Sequence, residues 1–315
     1  MILGGDIGGT KVLLGLMEAG RPVIERRYAS ADFSGFEAVL ARFLREAACD
    51  PRQITATCLA LAGPLADDGR TARLTHLPWH IDSEALARRF GLPPIRLVND
   101  FAAAALAAVM APAAQRSTLQ PGIPLAAAPC LVVGAGTGLG MAIALPEGQR
   151  WRIIPGEGGH AAFAPADDEQ LALWRHLTAR HGRVGWEMVV SGPGLAAIHE
   201  FIAGESLPPE EISARALASA DGAARRALEL FLAAYGAFAG DMALACLARG
   251  GVFLAGGIAG KLLPALHDGP FLEAFNAKAE HAALAARMPI HVISDPALGL
   301  HGAFSLAGTQ SPLDP

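Results

Sequence analysis

The chain has 315 residues, enough for two domains at about 150 residues each. Its residues are 52% hydrophobic and 17% charged, which supplies ample apolar surface to offset the entropy of ordering and excludes a disordered chain. Twenty-five Lys and Arg against 30 Asp and Glu give a formal charge of −5, so there is no basic excess to neutralise the phosphates of a nucleic acid.

The first 30 residues predict a β-meander: Met1–Gly5, then Lys11–Met17 after a Gly-Gly-Thr turn, then Arg21–Tyr28 after Gly20. Phe36, Leu40, Phe43, Leu44 and Ala47 recur at helical spacing, so Phe33–Ala48 reads as an amphipathic helix. Thr55–Ala62 is a buried strand ending at Gly63-Pro64, and Asp67-Asp68-Gly69 marks a turn. Ser83 is placed to N-cap a helix running to Gly91. Ile95–Val98 is a strand, after which Asp100 can cap the helix Phe101–Met110. The Pro- and Ala-rich stretch Pro112–Pro129 reads as a loop or domain linker, and Cys130–Val133 opens a second β-unit. From Leu171 the chain is mainly helical, broken at Ser191-Gly192-Pro193-Gly194, with helices over 211–219 and 222–249. Val252–Ala255 and Ile290–Ser294 are strands, and a last helix covers 299–307. This alternation argues for an α/β fold. ILGGDIGGT at 2–10 and LVVGAGTGLG at 131–140 echo one another, which suggests two related lobes.

A mean hydropathy of +0.34 makes the apolar runs worth testing as membrane spans. Phe101–Ala114 is Ala-rich and broken by Pro112, and Leu125–Leu145 contains Pro129 and several glycines; neither resembles about 20 strongly apolar residues. Asp6 lies in the first apolar stretch with no basic residue before it, unlike a signal peptide. Cys49, Cys58, Cys130 and Cys246 are scattered without a CxxC pair, as expected of reduced thiols in a cytoplasmic protein.

Several segments carry chemistry. In Asp6-Ile7-Gly8-Gly9-Thr10-Lys11 the paired glycines let backbone N–H groups converge on an anion, and Thr10 and Lys11 add a donor and a charge. Asp6 would repel a bare phosphate, but it can hold a hydrated Mg²⁺ that bridges phosphate oxygens. An ordinary hairpin turn is the alternative. Gly134–Gly140 (GAGTGLG) is a second phosphate-turn candidate without the acid, and it fits neither the dinucleotide fingerprint nor the P-loop. Asn99-Asp100 follows a buried strand: Asp100 is either a helix cap or a base for a substrate hydroxyl, and Asn99 suits a polyol. Glu157 and His160 in Gly156–His160 (GEGGH), together with Glu187, offer the acceptors and donors that vicinal hydroxyls need. The pattern has no zinc-site spacing. Gly256-Gly257 after a buried strand leaves room for a flat base or simply turns the chain into a helix.

Taken in order, DIGGTK at 6–11, LVND at 97–100, GAGTGLG at 134–140, PGEGGHAAFAP at 155–165, SGPGL at 191–195 and VFLAGGIAGK at 252–261 resemble the bacterial glucokinase family, the ATP-dependent group related to but distinct from the ROK sugar kinases. The resemblance implies an α/β, two-lobed actin-like ATPase (ribonuclease H-like) fold with the active site in the interlobe cleft. Residues 1–109 would form the small lobe, joined by a C-terminal helix over 299–315, and residues 110–298 the large lobe. It implies phosphorylation of D-glucose at the 6-hydroxyl by ATP and Mg²⁺. Asp100 would be the catalytic base. Asn99, Asp100, Glu157, His160 and Glu187 would bind the sugar. Asp6, Gly8, Gly9, Thr10 and Lys11, with Gly136 and Thr137, would hold Mg-ATP phosphates, the metal resting on Asp6 through water. Gly256 and Gly257 would lie near the adenosine. A cytoplasmic homodimer without membrane or nucleic-acid partners is expected. Lys11 departs from the asparagine that the family pattern places there, and the cysteine-rich zinc motif of typical ROK kinases is missing. The rival readings are a kinase of another hexose or N-acylhexosamine, a sugar-sensing regulator and an actin-like filament protein. A regulator would need an N-terminal helix-turn-helix ahead of the first strand, and a filament protein would lack the Asn-Asp and Gly-Glu-Gly-Gly-His segments.

Overall fold

Two sheets with the same strand order organise the chain. The computed structural model describes residues 1–75, 77–218, 221–267 and 269–308. The chain divides into two compact units, Met1–Met110 with the segment from Ala297, and Ala111–Pro296.

In the first unit, β1 (Ile2–Ile7), β2 (Lys11–Glu18) and β3 (Arg21–Ala29) form the antiparallel meander. The first strand runs past Gly5 through Asp6, so the acid is a strand residue rather than part of the turn. Helix α1 (Phe36–Glu46) buries Phe36, Val39, Leu40 and Phe43, the face that its periodicity marked. Strand β4 (Ala56–Leu61) lies parallel to β1, and a small hairpin pairs β5 (Thr71–Arg73) with β6 (His80–Asp82). Next come α2 (Ser83–Phe90), β7 (Ile95–Asn99), parallel to β4, and α3 (Asp100–Met110). The sheet order is β3-β2-β1-β4-β7.

Both helix caps expected here lie one residue earlier. Asp82, not Ser83, caps α2: its Oδ1 accepts the Ala85 N–H at 2.9 Å, while the Ser83 hydroxyl donates to the Arg70 carbonyl. Asn99 Oδ1 accepts the Ala102 N–H at 3.0 Å, and Asp100 is the first helical residue of α3. In each case the cap is the last residue of the strand, because the strand runs into the helix without a loop.

The second unit begins with β8 (Arg116–Gln120), inside the Pro- and Ala-rich stretch expected to be a loop. It earns its place as a sheet edge, pairing antiparallel with β13 below. Strands β9 (Cys130–Ala135), β10 (Leu139–Glu147) and β11 (Arg150–Gly156) form a second antiparallel meander. The sequence reading missed β11, although Gly148 at φ +63 turns the hairpin and Arg150, Arg152 and Ile154 alternate with more buried residues. Helices α4 (Asp168–His181), α5 (Gly192–Ala203), α6 (Pro209–Leu217) and α7 (Gly222–Cys246) follow, the last two ending before the expected 219 and 249; residue 219 lies outside the described residues. Strand β12 (Gly251–Ala255) is followed by short helices that the sequence reading did not predict, α8 (Gly257–Lys261), α9 (Leu263–His267), α10 (Pro270–Asn276) and α11 (Ala282–Ala285), and then by β13 (Ile290–Ile293). The order β11-β10-β9-β12-β13-β8 repeats that of the first sheet with one strand added at the edge.

Helix α7 is the one described helix long and apolar enough to cross a bilayer, and it was not among the runs weighed from the sequence. In its most apolar window 72% of residues are buried, and Phe231, Tyr235 and Phe238 belong to the core of the second unit. Finally, α12 (Leu298–Ala307) packs on β1 and α3 of the first unit. Gly302 makes this possible, since a Cβ there would overlap the Ala103 carbonyl. Residues 309–315 of the expected terminal helix lie outside the described residues.

Candidate active site

The parallel strands of each sheet end on one edge, and the chemistry-bearing residues stand there. In the first unit, Ile7 of β1, Leu61 of β4 and Asn99 of β7 lie in one register row. The Gly8–Thr10 turn and the Asn99-Asp100 step therefore share the carboxyl edge of one sheet, where ligands bind in open α/β sheets. The turn is closed by the Gly8 N–H donating to the Lys11 carbonyl at 2.9 Å. Ser30, fully buried, braces it twice: its hydroxyl donates to the Gly8 carbonyl and its N–H to the Thr10 carbonyl, both at 3.0 Å. Thr10 is exposed.

Asp6 sits one residue inside this edge. Burial pushes its pKa up, opposed by the positive charge of Lys11. Gly299, in the first turn of α12, rests against its carboxyl group: a Cβ at 299 would lie 2.8 Å from Cγ and 2.9 Å from Oδ2. Asp100 Oδ1 accepts the Phe101 N–H at 2.8 Å at the start of α3.

The second unit repeats the arrangement with different groups. Strands β9 and β12 are parallel, with Gly134 opposite Ala255. The Gly136–Gly138 turn follows one and Gly256-Gly257 the other. Gly256, at φ +87, backs onto the Ala135 carbonyl, where a Cβ would come within 2.7 Å. The phosphate-turn and adenosine-turn candidates are thus neighbours. Thr137 is exposed at the tip of its turn.

Glu157 and His160 lie on the single helical turn at 158–160 and its entry, with Oε2 3.7 Å from Nε2 and side chains 85% and 63% exposed. Glu187 lies on a similar turn at 186–188, strapped to the first by the Trp186 N–H donating to the Ala161 carbonyl at 3.0 Å. Its Oε2 accepts the Leu139 N–H at 2.8 Å, where β10 leaves the Gly136–Gly138 turn. The structure therefore gathers Glu157, His160, Glu187, Gly136, Thr137, Gly256 and Gly257 within one unit, and Asp6, Gly8, Gly9, Thr10, Lys11, Asn99 and Asp100 within the other.

A family profile described as Glucokinase matches residues 3–310. The chain belongs to the glucokinase family. It is 36% identical over 336 aligned residues to the glucokinase of Nostoc sp., covering 96% of this chain and 97% of that one. The crystal structure of a glucokinase from an Antarctic psychrotroph superimposes with a TM-score of 0.83 at 28% identity, over 97% of this chain and 98% of that one. A ROK family glucokinase from Streptomyces griseus, solved with glucose and AMPPNP, shares the fold at a TM-score of 0.67 and 19% identity, covering 97% and 98% of the two chains. The actin-like ATPase fold implied by the resemblance is the fold of this chain.

Several residues that shape the candidate site escape the sequence reading. Ser30 carries no motif signal, because its role depends on where β3 ends in space. The Leu139 N–H is a backbone group and is invisible in side-chain patterns. Gly299 could have been found: with Gly302 it makes a Gly-x-x-Gly step in an apolar helix, a sign of close packing. Among the described residues no three His, Cys, Asp or Glu side chains group as a metal cage. A lone, partly buried carboxylate such as Asp6 still fits a Mg²⁺ ion, which keeps several waters and takes one or two carboxylates besides phosphate. The four cysteines are free thiols, and burial pushes those of Cys58 and Cys130 up to about 12.

Proposed function

We propose that this chain transfers the γ-phosphoryl group of ATP to the 6-hydroxyl of D-glucose, giving ADP and glucose 6-phosphate. The family match over residues 3–310 carries this reading, and the carboxyl-edge positions of Asp100 and Asp6 support it.

Phosphoryl transfer needs positioning and charge neutralisation more than covalent help from the protein. Glu157, His160, Glu187 and Asn99 hold the sugar by its hydroxyls, the carboxylates accepting and Asn99 and His160 able to donate. The Asp100 carboxylate, within about 3 Å of the sugar O6, accepts its proton as the O6–P bond forms and the bond from phosphorus to the β,γ-bridging oxygen breaks. Backbone N–H groups of Gly8, Gly9 and Gly136, the hydroxyls of Thr10 and Thr137 and the charge of Lys11 receive the phosphates. Gly256 and Gly257 leave space for the adenosine. Asp6 would hold Mg²⁺ through water; when bound, the ion neutralises charge on the β- and γ-oxygens. Water is a competent rival nucleophile, so the reaction requires that the sugar exclude it before transfer. The first unit is read as the small lobe and the second as the large lobe of a cytoplasmic homodimer, whose mass sedimentation would read directly.

The test is a coupled assay with Mg-ATP and a panel of glucose, mannose, fructose and N-acetylmannosamine. Glucose should give the highest kcat/KM. Turnover of another sugar with none of glucose would overturn the substrate assignment.

A further inference from the structure

Glu187 is read above as a sugar ligand, yet its carboxylate makes a bond that holding a sugar does not require. Oε2 accepts the Leu139 N–H at 2.8 Å, at the point where the Gly136–Gly138 turn closes onto β10. Gly138 is shaped around the same oxygen: a Cβ there would stand 2.5 Å from Oε2, and the three atoms nearest to it all belong to Glu187. The turn closes on itself through the Gly136 N–H and the Gly138 carbonyl at 2.8 Å. Its other end is held by the Gly192 N–H donating to the Gly136 carbonyl, also at 2.8 Å.

Glu187 is itself fixed. The Trp186 indole packs 5.0 Å from the Phe163 ring and 5.6 Å from the Phe238 ring, and the Trp186 N–H is bonded to Ala161, next to His160. Gly159, between Glu157 and His160, lies so close to the Leu139 carbonyl that a Cβ would overlap it. The Leu139 peptide thus touches the phosphate turn on one side and both sugar-binding turns on the other.

We propose that Glu187 is a positioning residue for the nucleotide as well as a sugar ligand. Its carboxylate pins the Gly136–Gly138 turn through the Leu139 N–H, and sugar hydroxyls drawing on that carboxylate alter the bond, so that glucose and ATP are coupled through one side chain. This rests on the reading of the chain as a glucose kinase. The bond is charge-assisted and partly shielded, the kind that holds a turn firmly. Coupling of this sort is reciprocal: whatever glucose does to nucleotide affinity, the nucleotide does to glucose affinity.

The experiment is calorimetric titration of the full chain with Mg-AMPPNP, with and without saturating glucose, for the wild type, Glu187→Ala, Glu187→Gln and Gly138→Ala. Without glucose, Glu187→Ala should weaken AMPPNP binding about tenfold, the effect of one lost charge-assisted hydrogen bond. The factor by which glucose changes AMPPNP affinity should fall to about one. Glu187→Gln keeps an acceptor for the Leu139 N–H and should restore sugar-free AMPPNP affinity to within roughly threefold of wild type, although it is a poorer sugar ligand. Gly138→Ala, which displaces the carboxylate, should reproduce the loss and add little in the double variant with Glu187→Ala. If Glu187→Ala binds AMPPNP like the wild type while losing glucose, the side chain serves the sugar alone and the inference is overturned. If Glu187→Ala does not fold, unchanged AMPPNP affinity in Gly138→Ala overturns it equally. A wild-type chain that phosphorylates no glucose overturns the underlying reading, a result seen without any variant.

Discussion

The two glycine turns, Gly8–Thr10 and Gly136–Gly138, sit at the same place in sheets of the same strand order, yet they are built differently. In the first, the acid is part of the hairpin: Asp6 is the penultimate residue of β1, pressed by Gly299, and Ser30 braces the turn that follows it. In the second, the strand position is occupied by Gly134, and the acid comes from outside the hairpin, as Glu187 reaching the Leu139 N–H. An acid built into a strand is fixed by the fold and suits a metal or a reacting proton. An acid on a separate turn can answer to a ligand. With the proposed function, the difference would put the reacting acids in the first unit and the carboxylates that hold the sugar in the second.

Variants can break or sharpen that division. The largest effect is expected at Asp100: Asp100→Ala should lower kcat about 10²–10⁴-fold while calorimetry still shows glucose binding. A raised KM with unchanged kcat would move Asp100 to the recognition side. Asp6→Asn comes next, with activity down about 100-fold or more as the carboxylate proposed to hold the metal is lost. Its stability should move the other way. Burial raises the Asp6 pKa in the folded chain, so the stability linked to its protonated form is fully present below its ordinary value of 3.8 and is lost as pH rises through the raised folded value. The asparagine avoids that loss. The chain carrying it, without ligands, should melt higher than wild type at pH 7, and the two should converge in acid; a lower melting point at pH 7 would contradict this.

Glu157→Ala should raise the half-saturating glucose concentration roughly 10–100-fold with kcat nearly kept, because a charged partner of the sugar hydroxyls is removed. A fall in kcat alone would place chemistry in the second unit as well. The smallest effect is expected for Gly299→Ala, where the added methyl meets the Asp6 carboxyl and overpacking costs about 1–3 kcal/mol. The melting temperature should drop and the KM for ATP should rise together. A drop without the KM change would mean that Gly299 serves packing only.

Much of this was legible in the sequence because strands and turns are local. The β1–β2 turn, β9, β12 and the amphipathic face of α1 follow from alternation, glycine placement and helical spacing. The strings DIGGTK, LVND, GAGTGLG and VFLAGGIAGK could be read for the same reason, since each sits where a largely buried strand ends. Other features were not legible because they depend on distant partners. Strand β8 has Pro and Ala around it and exists because β13 offers an edge. The cap of α3 fell to Asn99 because β7 runs one residue further than its apolar content indicates, and that of α2 to Asp82 because β6, a strand not read from the sequence, runs straight into the helix. The hold of Glu187 on Leu139 joins a side chain to a backbone group far away in the chain.

The contact between Gly299 and Asp6 also bears on how the enzyme is born. A ribosome releases Asp6 at the outset and Gly299 only near the end, after the whole second unit has emerged. Until α12 docks, β1 lacks the helix that packs on it and the Asp6 carboxyl lacks its backing. The contact at Gly299 can therefore form only after the second unit has been synthesised.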